Sequence, residues 1–188
     1  MRPWSRSTFF TDMLKRLPNP QAVLQVYAVI AVMISGWTMI AFLRKLPSWL
    51  LTLNIGEIFT VFSYAMVTNL VESLIVIFLL LTVCFLLPPR FLCDHFVVRG
   101  TILSAGFIGS LIVLLELLKQ FGIGGSFKLL FGPLALILLM AFLLVFSPKI
   151  RFVDSAVLWI SDRLIVFLYI LMPLYVILFT YVIFRNIV

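Results

Sequence analysis

Long apolar runs separated by short polar breaks set the pattern of this chain. The first run extends from about Gln21 to Leu43 and stops at Arg44-Lys45. The second extends from about Ile58 to Leu87 and stops at Pro88-Pro89-Arg90. A third lies between Arg99 and Lys119, a fourth between Lys128 and Lys149, and a fifth from Leu164 to Phe184. A bilayer core of roughly 30 Å is crossed by about 20 apolar residues in a helix. The runs therefore predict about five transmembrane helices, at 21–43, 58–87, 100–118, 129–147 and 164–184, in one helical bundle over residues 21–188. The second run would be about 45 Å long as a helix, so it must tilt, kink or project beyond the core.

Residues 1–20 carry a different period. Phe9, Phe10, Met13, Leu14 and Leu17 recur at helical spacing, with Asp12, Lys15 and Arg16 on the other face. This predicts an N-terminal amphipathic helix lying in the membrane interface. Pro18-Asn19-Pro20 ends it, with Asn19 placed to cap the next helix and Pro20 to open it. No small-residue cleavage site follows the first apolar run, so that run is expected to be retained. The stretch "LPSWLLTLN" reads as a short interfacial connection anchored by Trp49, and "DSAVLWISDR" as a juxtamembrane lead into the last span.

Composition points the same way. Of 188 residues, 64% are hydrophobic and 11% charged, and mean hydropathy is +1.24. Soluble domains are about half apolar and about a quarter charged. The expected class is an all-α integral membrane protein with no sizeable soluble domain and the lipid bilayer as its surroundings. The net charge of +7 sits mostly at the ends of the apolar runs, the pattern of topology signals, so nucleic acid is not an expected partner. Five crossings would place nine Lys and Arg on the side of the N-terminus and five on the other. This predicts a cytoplasmic N-terminus and an outside C-terminus, in a plasma or inner membrane. Cys84 and Cys93 form no CxxC and are expected to be free thiols.

The candidate chemistry centres on the second run. Glu57, Thr60, Tyr64, Thr68 and Glu72 fall within roughly 120° of one another on a helix, and Asn69 and Ser73 widen the stripe. Lipid offers no hydrogen-bond partners, so this face is expected to point into the bundle or a wet cavity. A central charge costs about 3 kcal/mol on insertion scales, and no Lys or Arg lies at comparable depth in any run. The carboxyl of Glu72 is thus expected to be neutral or hydrated. Tyr64, Thr68, Asn69 and Glu72 form a candidate proton or cation site, with a purely packing role as the competing account. Glu57 reads as interfacial. On the third run, Ala105 with Gly109 and Gly106 with Ser110 give small-xxx-small spacing, expected to admit the second helix closely. Glu116 precedes Lys119 by three residues, as an interfacial pair would.

Enzymatic templates are missing. One histidine excludes an HExxH site, no phosphate-binding loop or nucleophile elbow occurs, and "GIGG" at 122–125 reads as a turn. Cys93-Asp94-His95 offers too few convergent ligands for a metal, and neither a metal nor a cofactor is expected. On the last run, Tyr169, Tyr175, Thr180 and Tyr181 accompany Pro173, a combination that more often packs than hinges. The fourth run has no polar stripe and is expected to face lipid, with the second and third helices at the centre. The function expected first is a non-catalytic structural or accessory subunit, packing against a protein partner or a second copy. The alternative is a small oligomeric transporter or channel in which Glu72 binds a proton or cation.

Overall fold

The computed structural model describes residues 18–86, 95–121, 133–135, 138 and 151–187. Nearly all of them are helical and none forms a strand. Four long helices carry the fold: α1 (Pro20–Thr52), α2 (Ile55–Leu86), α3 (Phe96–Phe121) and α4 (Arg151–Ile187). Each contains a stretch long and apolar enough to cross a membrane, the character of a membrane-embedded protein. The expected N-terminal interfacial helix lies outside the described residues. So does the expected fourth span, apart from Pro133–Ala135 and Leu138.

Local chemistry fixes the helix starts. The Asn19 side chain accepts from the Gln21 backbone N–H at 3.2 Å, and Pro20 opens α1 with its φ already helical. At the next turn the Asn54 carbonyl accepts from the backbone of Glu57 and Ile58. The Glu57 carboxylate reaches back to the Asn54 N–H at 2.8 Å. This is the return bond of a capping box, and it gives Glu57 a local structural task. Only Leu53 and Asn54 separate α1 from α2, so the two helices fold back on each other.

Several boundaries differ from the sequence expectation. α1 does not stop at Arg44-Lys45 but runs through them and through Pro47 to Thr52, absorbing the supposed interfacial connection. Long basic side chains can leave a helix axis toward the interface without ending the helix. Likewise α4 begins at Arg151, so the supposed juxtamembrane lead is its first turns. α3 is longer at both ends than the expected 100–118.

The centre of the bundle is α1, not the second and third helices as the sequence suggested. Residues 26–31 are buried in unbroken succession, so α1 is covered on every side there. Ala28 and Ala31 are fully buried and keep the helix thin where its neighbours close in. The core joins Val26, Ile30 and Ile34 of α1 to Ile77 and Leu80 of α2, Phe96 and Ile108 of α3, and Leu168 of α4. A second, smaller cluster around Met66, Tyr175 and Leu178 ties α2 to α4.

Pairwise contacts give the directions. Tyr27 meets Ser73, Thr38 meets Asn69 and Phe42 meets Phe62, so α1 and α2 are antiparallel. Val26 lies against Gly100 and Arg44 pairs with Glu116, so α3 runs parallel to α1. Gln25 bonds Asp162 and Ser35 bonds Tyr175, so α4 is also parallel to α1. One end of the bundle therefore holds Pro20, Leu86, Phe96 and the start of α4. The other holds Thr52, Ile55, Lys119 and Ile187. Between α2 and α3 lies an apolar groove of about 650 Å³, lined by Leu79, Val83, Phe107 and Leu111, with Pro133 at its wall.

Candidate functional site

The interior is held by polar pairs, each joining two helices. Thr101 and Ser161 share a hydrogen bond of 3.4 Å between α3 and α4. Tyr27 and Ser73 share one of 3.2 Å between α1 and α2, and the Thr38 hydroxyl donates to Asn69 Oδ1 at 2.9 Å between the same helices. Ser35 and Tyr175 bond α1 to α4, and Thr60 and Tyr181 bond α2 to α4 at 3.2 Å. Ser35, Thr60, Ser63 and Ser73 also donate to carbonyls three or four residues back on their own helices. No buried side-chain nitrogen or oxygen among the described residues lacks a partner. These groups bond each other in place of water, as buried polar groups in a dry interior must.

This inner row accounts for Asn69, which is 3% exposed, but not for the rest of the stripe. Tyr64, Thr68 and Glu72 all lie on the exposed side of α2. Taking Met66 as the inward direction, they point about 160°, 160° and 120° away from it at 100° per residue. The expectation that the stripe faces the bundle interior is corrected here: it divides, with Thr60, Asn69 and Ser73 inward and Glu57, Tyr64, Thr68 and Glu72 outward. The inner row reads Thr60, Ser63, Met66, Asn69, Ser73, Ile77, Leu80 and Cys84. Small residues let α2 seat against α1 and α4, and this drives the choice of face more strongly than the positions of the larger polar groups.

Outside, the Tyr64 hydroxyl donates to Asn186 Oδ1 at 2.7 Å, and Thr68 donates to the Tyr64 carbonyl of its own helix. Glu72 makes no hydrogen bond or ion pair with any described residue. It stands 17 residues after Ile55 and 14 before Leu86, near the middle of α2. On the same face Thr68 stands one turn before it and the exposed Ile75 one turn after, while a shallow groove of about 500 Å³ lined by Val71, Leu74, Ile75 and Phe78 runs beside that face to Leu81.

The small residues of α3 are not used as expected. Ser110 is buried, and Ala105, Gly106 and Gly109 are half-buried. A side chain at Gly109 would meet nothing within 4 Å. The third helix packs chiefly on α1, and its close approach is at Gly100, where a methyl would stand 3.4 Å from both Val26 and Leu80. At the far end of α3, Glu116 accepts from Lys119 at 3.2 Å and from Arg44 at 3.0 Å, and Lys119 lies over the Trp37 ring. These exposed charges link α3 to α1 only weakly, because water screens them.

Among the described residues no group of three metal-capable side chains comes together. Of Cys93-Asp94-His95, only His95 is described. It borders a pocket of about 450 Å³ with Asn19, Phe96 and Asp154 at the bundle end where α1, α3 and α4 begin. Cys84 is not a free thiol as expected but is disulfide-bonded; Cys93 lies outside the described residues. In α4, Tyr175 and Tyr181 flank the inner side beyond Pro173, while Tyr169 is exposed. Neither protein-family models, nor curated proteins, nor solved structures include a match to this chain.

Proposed function

We propose that this protein is a non-catalytic accessory subunit of a membrane assembly, acting through helix packing with a protein partner. One observation carries the reading. The interior polar groups are bonded to each other in pairs across helix interfaces, while on the outer side of α2 the Glu72 carboxyl bonds to none of the described residues. Among the described residues no buried polar side chain is left without a partner, and no three metal-capable side chains come together. Its remaining chemistry is adhesive.

Five crossings fit this architecture. α3 and α4 are parallel, so Phe121 and Arg151 lie at opposite ends of the bundle. The apolar run at 129–147 has the length for a crossing, and Pro133 already borders the groove between α2 and α3. For orientation, the charge bias favours a cytoplasmic N-terminus and an outside C-terminus in a plasma or inner membrane. The disulfide at Cys84 pulls the other way, since disulfides persist on oxidising sides of membranes. We take the charge bias as deciding, because it is distributed over fourteen residues along the chain and the disulfide over one pair.

The test is purification of the full chain in mild detergent from its own membranes. A complex larger than the 21.5 kDa chain, containing a second protein in fixed ratio, is expected. Recovery as a stable, partnerless monomer overturns the reading. A second reading, a small oligomeric transporter, is favoured by Glu72 alone; any path along it would have to run between copies. That reading fails if Glu72→Gln leaves proton-coupled flux in proteoliposomes unchanged.

A further inference from the structure

Resting on the accessory-subunit reading, we infer that the outer face of α2 is the docking surface, and that its occupant is a partner's membrane-crossing helix bearing a Lys or Arg opposite Glu72. The face is continuous. Val61, Tyr64, Thr68, Val71, Glu72 and Ile75 repeat at three- and four-residue intervals and are all exposed. That is the spacing by which one helix seats along another.

Charge selects the occupant. Glu72 has Val71 and Ile75 beside it on this face, with Thr68 one turn before, and bonds to none of the described residues. Hydrocarbon offers it nothing, and an intramembrane acid is stabilised by a basic group at the same depth. A second copy of this chain supplies none among the described residues. Arg99 lies beside Gly100, at the level of Val26 near the start of α1, and Arg163 follows Asp162, which bonds Gln25. Arg44, Lys119 and Arg185 lie toward the opposite end. Two parallel copies joined along this face would set Glu72 against Glu72. A helix of different sequence with a central cation matches the face, and Thr68 and Tyr64 lie one and two turns away on the same side.

The test uses the full chain in vesicles of phosphatidylcholine with a quarter phosphatidylglycerol. Fluorescence transfer is read to synthetic helices of about 20 residues, leucine-rich and carrying Arg, Gln or Leu at the centre. The Arg-centred helix is expected to bind the chain roughly tenfold more tightly than the Leu-centred one, with Glu72→Gln removing the difference. Glu72→Lys should then prefer a Glu-centred helix. Equal binding of the Arg- and Leu-centred helices overturns the inference. Glu72-dependent transfer between labelled copies of the chain, exceeding that to the Arg-centred helix, overturns it in favour of self-association. The two readings fail separately: a native complex whose composition survives Glu72→Gln keeps the accessory-subunit reading and removes the docking face. A partnerless monomer that binds the Arg-centred helix does the reverse.

Discussion

At the scale of single residues, position on the helix circumference separates polar groups that hold the fold from those that do not. Asn69 and Thr68 are adjacent in sequence and opposite in role. Asn69 accepts from Thr38 across a helix interface, whereas Thr68 bonds only its own helix. Asn69→Leu should leave the half-buried Thr38 hydroxyl without its acceptor and lower stability by about 1–2 kcal/mol. Thr68→Val should change it by less than about 0.5 kcal/mol. Tyr175→Phe, which leaves Ser35 its bond to the Ala31 carbonyl, should cost about 1 kcal/mol. Unfolding in increasing sodium dodecyl sulfate reads all three, and a larger loss for Thr68→Val than for Asn69→Leu would reverse the assignment of faces. The stripe on α2 was legible because period 3.6 shows which residues share a face. Its direction was not, because a polar face in a membrane helix can equally meet its own bundle or another protein.

At the scale of elements, existence was easier to read than extent. The apolar runs of α1, α2, α3 and α4 stand out in the sequence, and the Asn19-Pro20 start was readable from capping chemistry alone. Ends were misread wherever charge was taken as a stop. Arg44 continues α1 because its guanidinium reaches Glu116 on α3, and Asp162 sits within α4 because Gln25 bonds it. Neither partner is visible without the fold. The choice of neighbours was hidden for a similar reason, since small-xxx-small spacing marks where a helix can be approached but not by which other. Gly100→Leu is expected to destabilise by about 1–3 kcal/mol, since its side chain would be driven into Val26 and Leu80. Gly109→Ala should be neutral or stabilising by up to about 1 kcal/mol, because the added methyl meets nothing and helix propensity rises. The same denaturation assay checks both. Equal losses at the two glycines would place the contact of α3 elsewhere.

At the scale of the whole molecule, parallel α1 and α4 place the start of α1 and the end of α4 at opposite ends of the bundle. Tags on the two termini should therefore be digested from opposite sides of sealed membranes, the N-terminal one from the cytoplasmic side. Digestion of both from one side would break the parallel packing. Alkylation of intact cells before lysis and before any reductant, read by mass, should leave Cys84 unlabelled, as its disulfide requires; labelled Cys84 would remove the one feature that opposes the orientation proposed here. The central position of α1 also bears on assembly in time. α1 leaves the ribosome before α4, yet Ser35 and Gln25 find their partners only in α4, more than a hundred residues later. Until then the most enclosed helix of the finished protein has an uncovered flank, and it must linger beside the insertion machinery or be shielded by another membrane protein. Chains cut after Phe121 should accordingly be degraded faster in a pulse–chase than chains cut after Ile187.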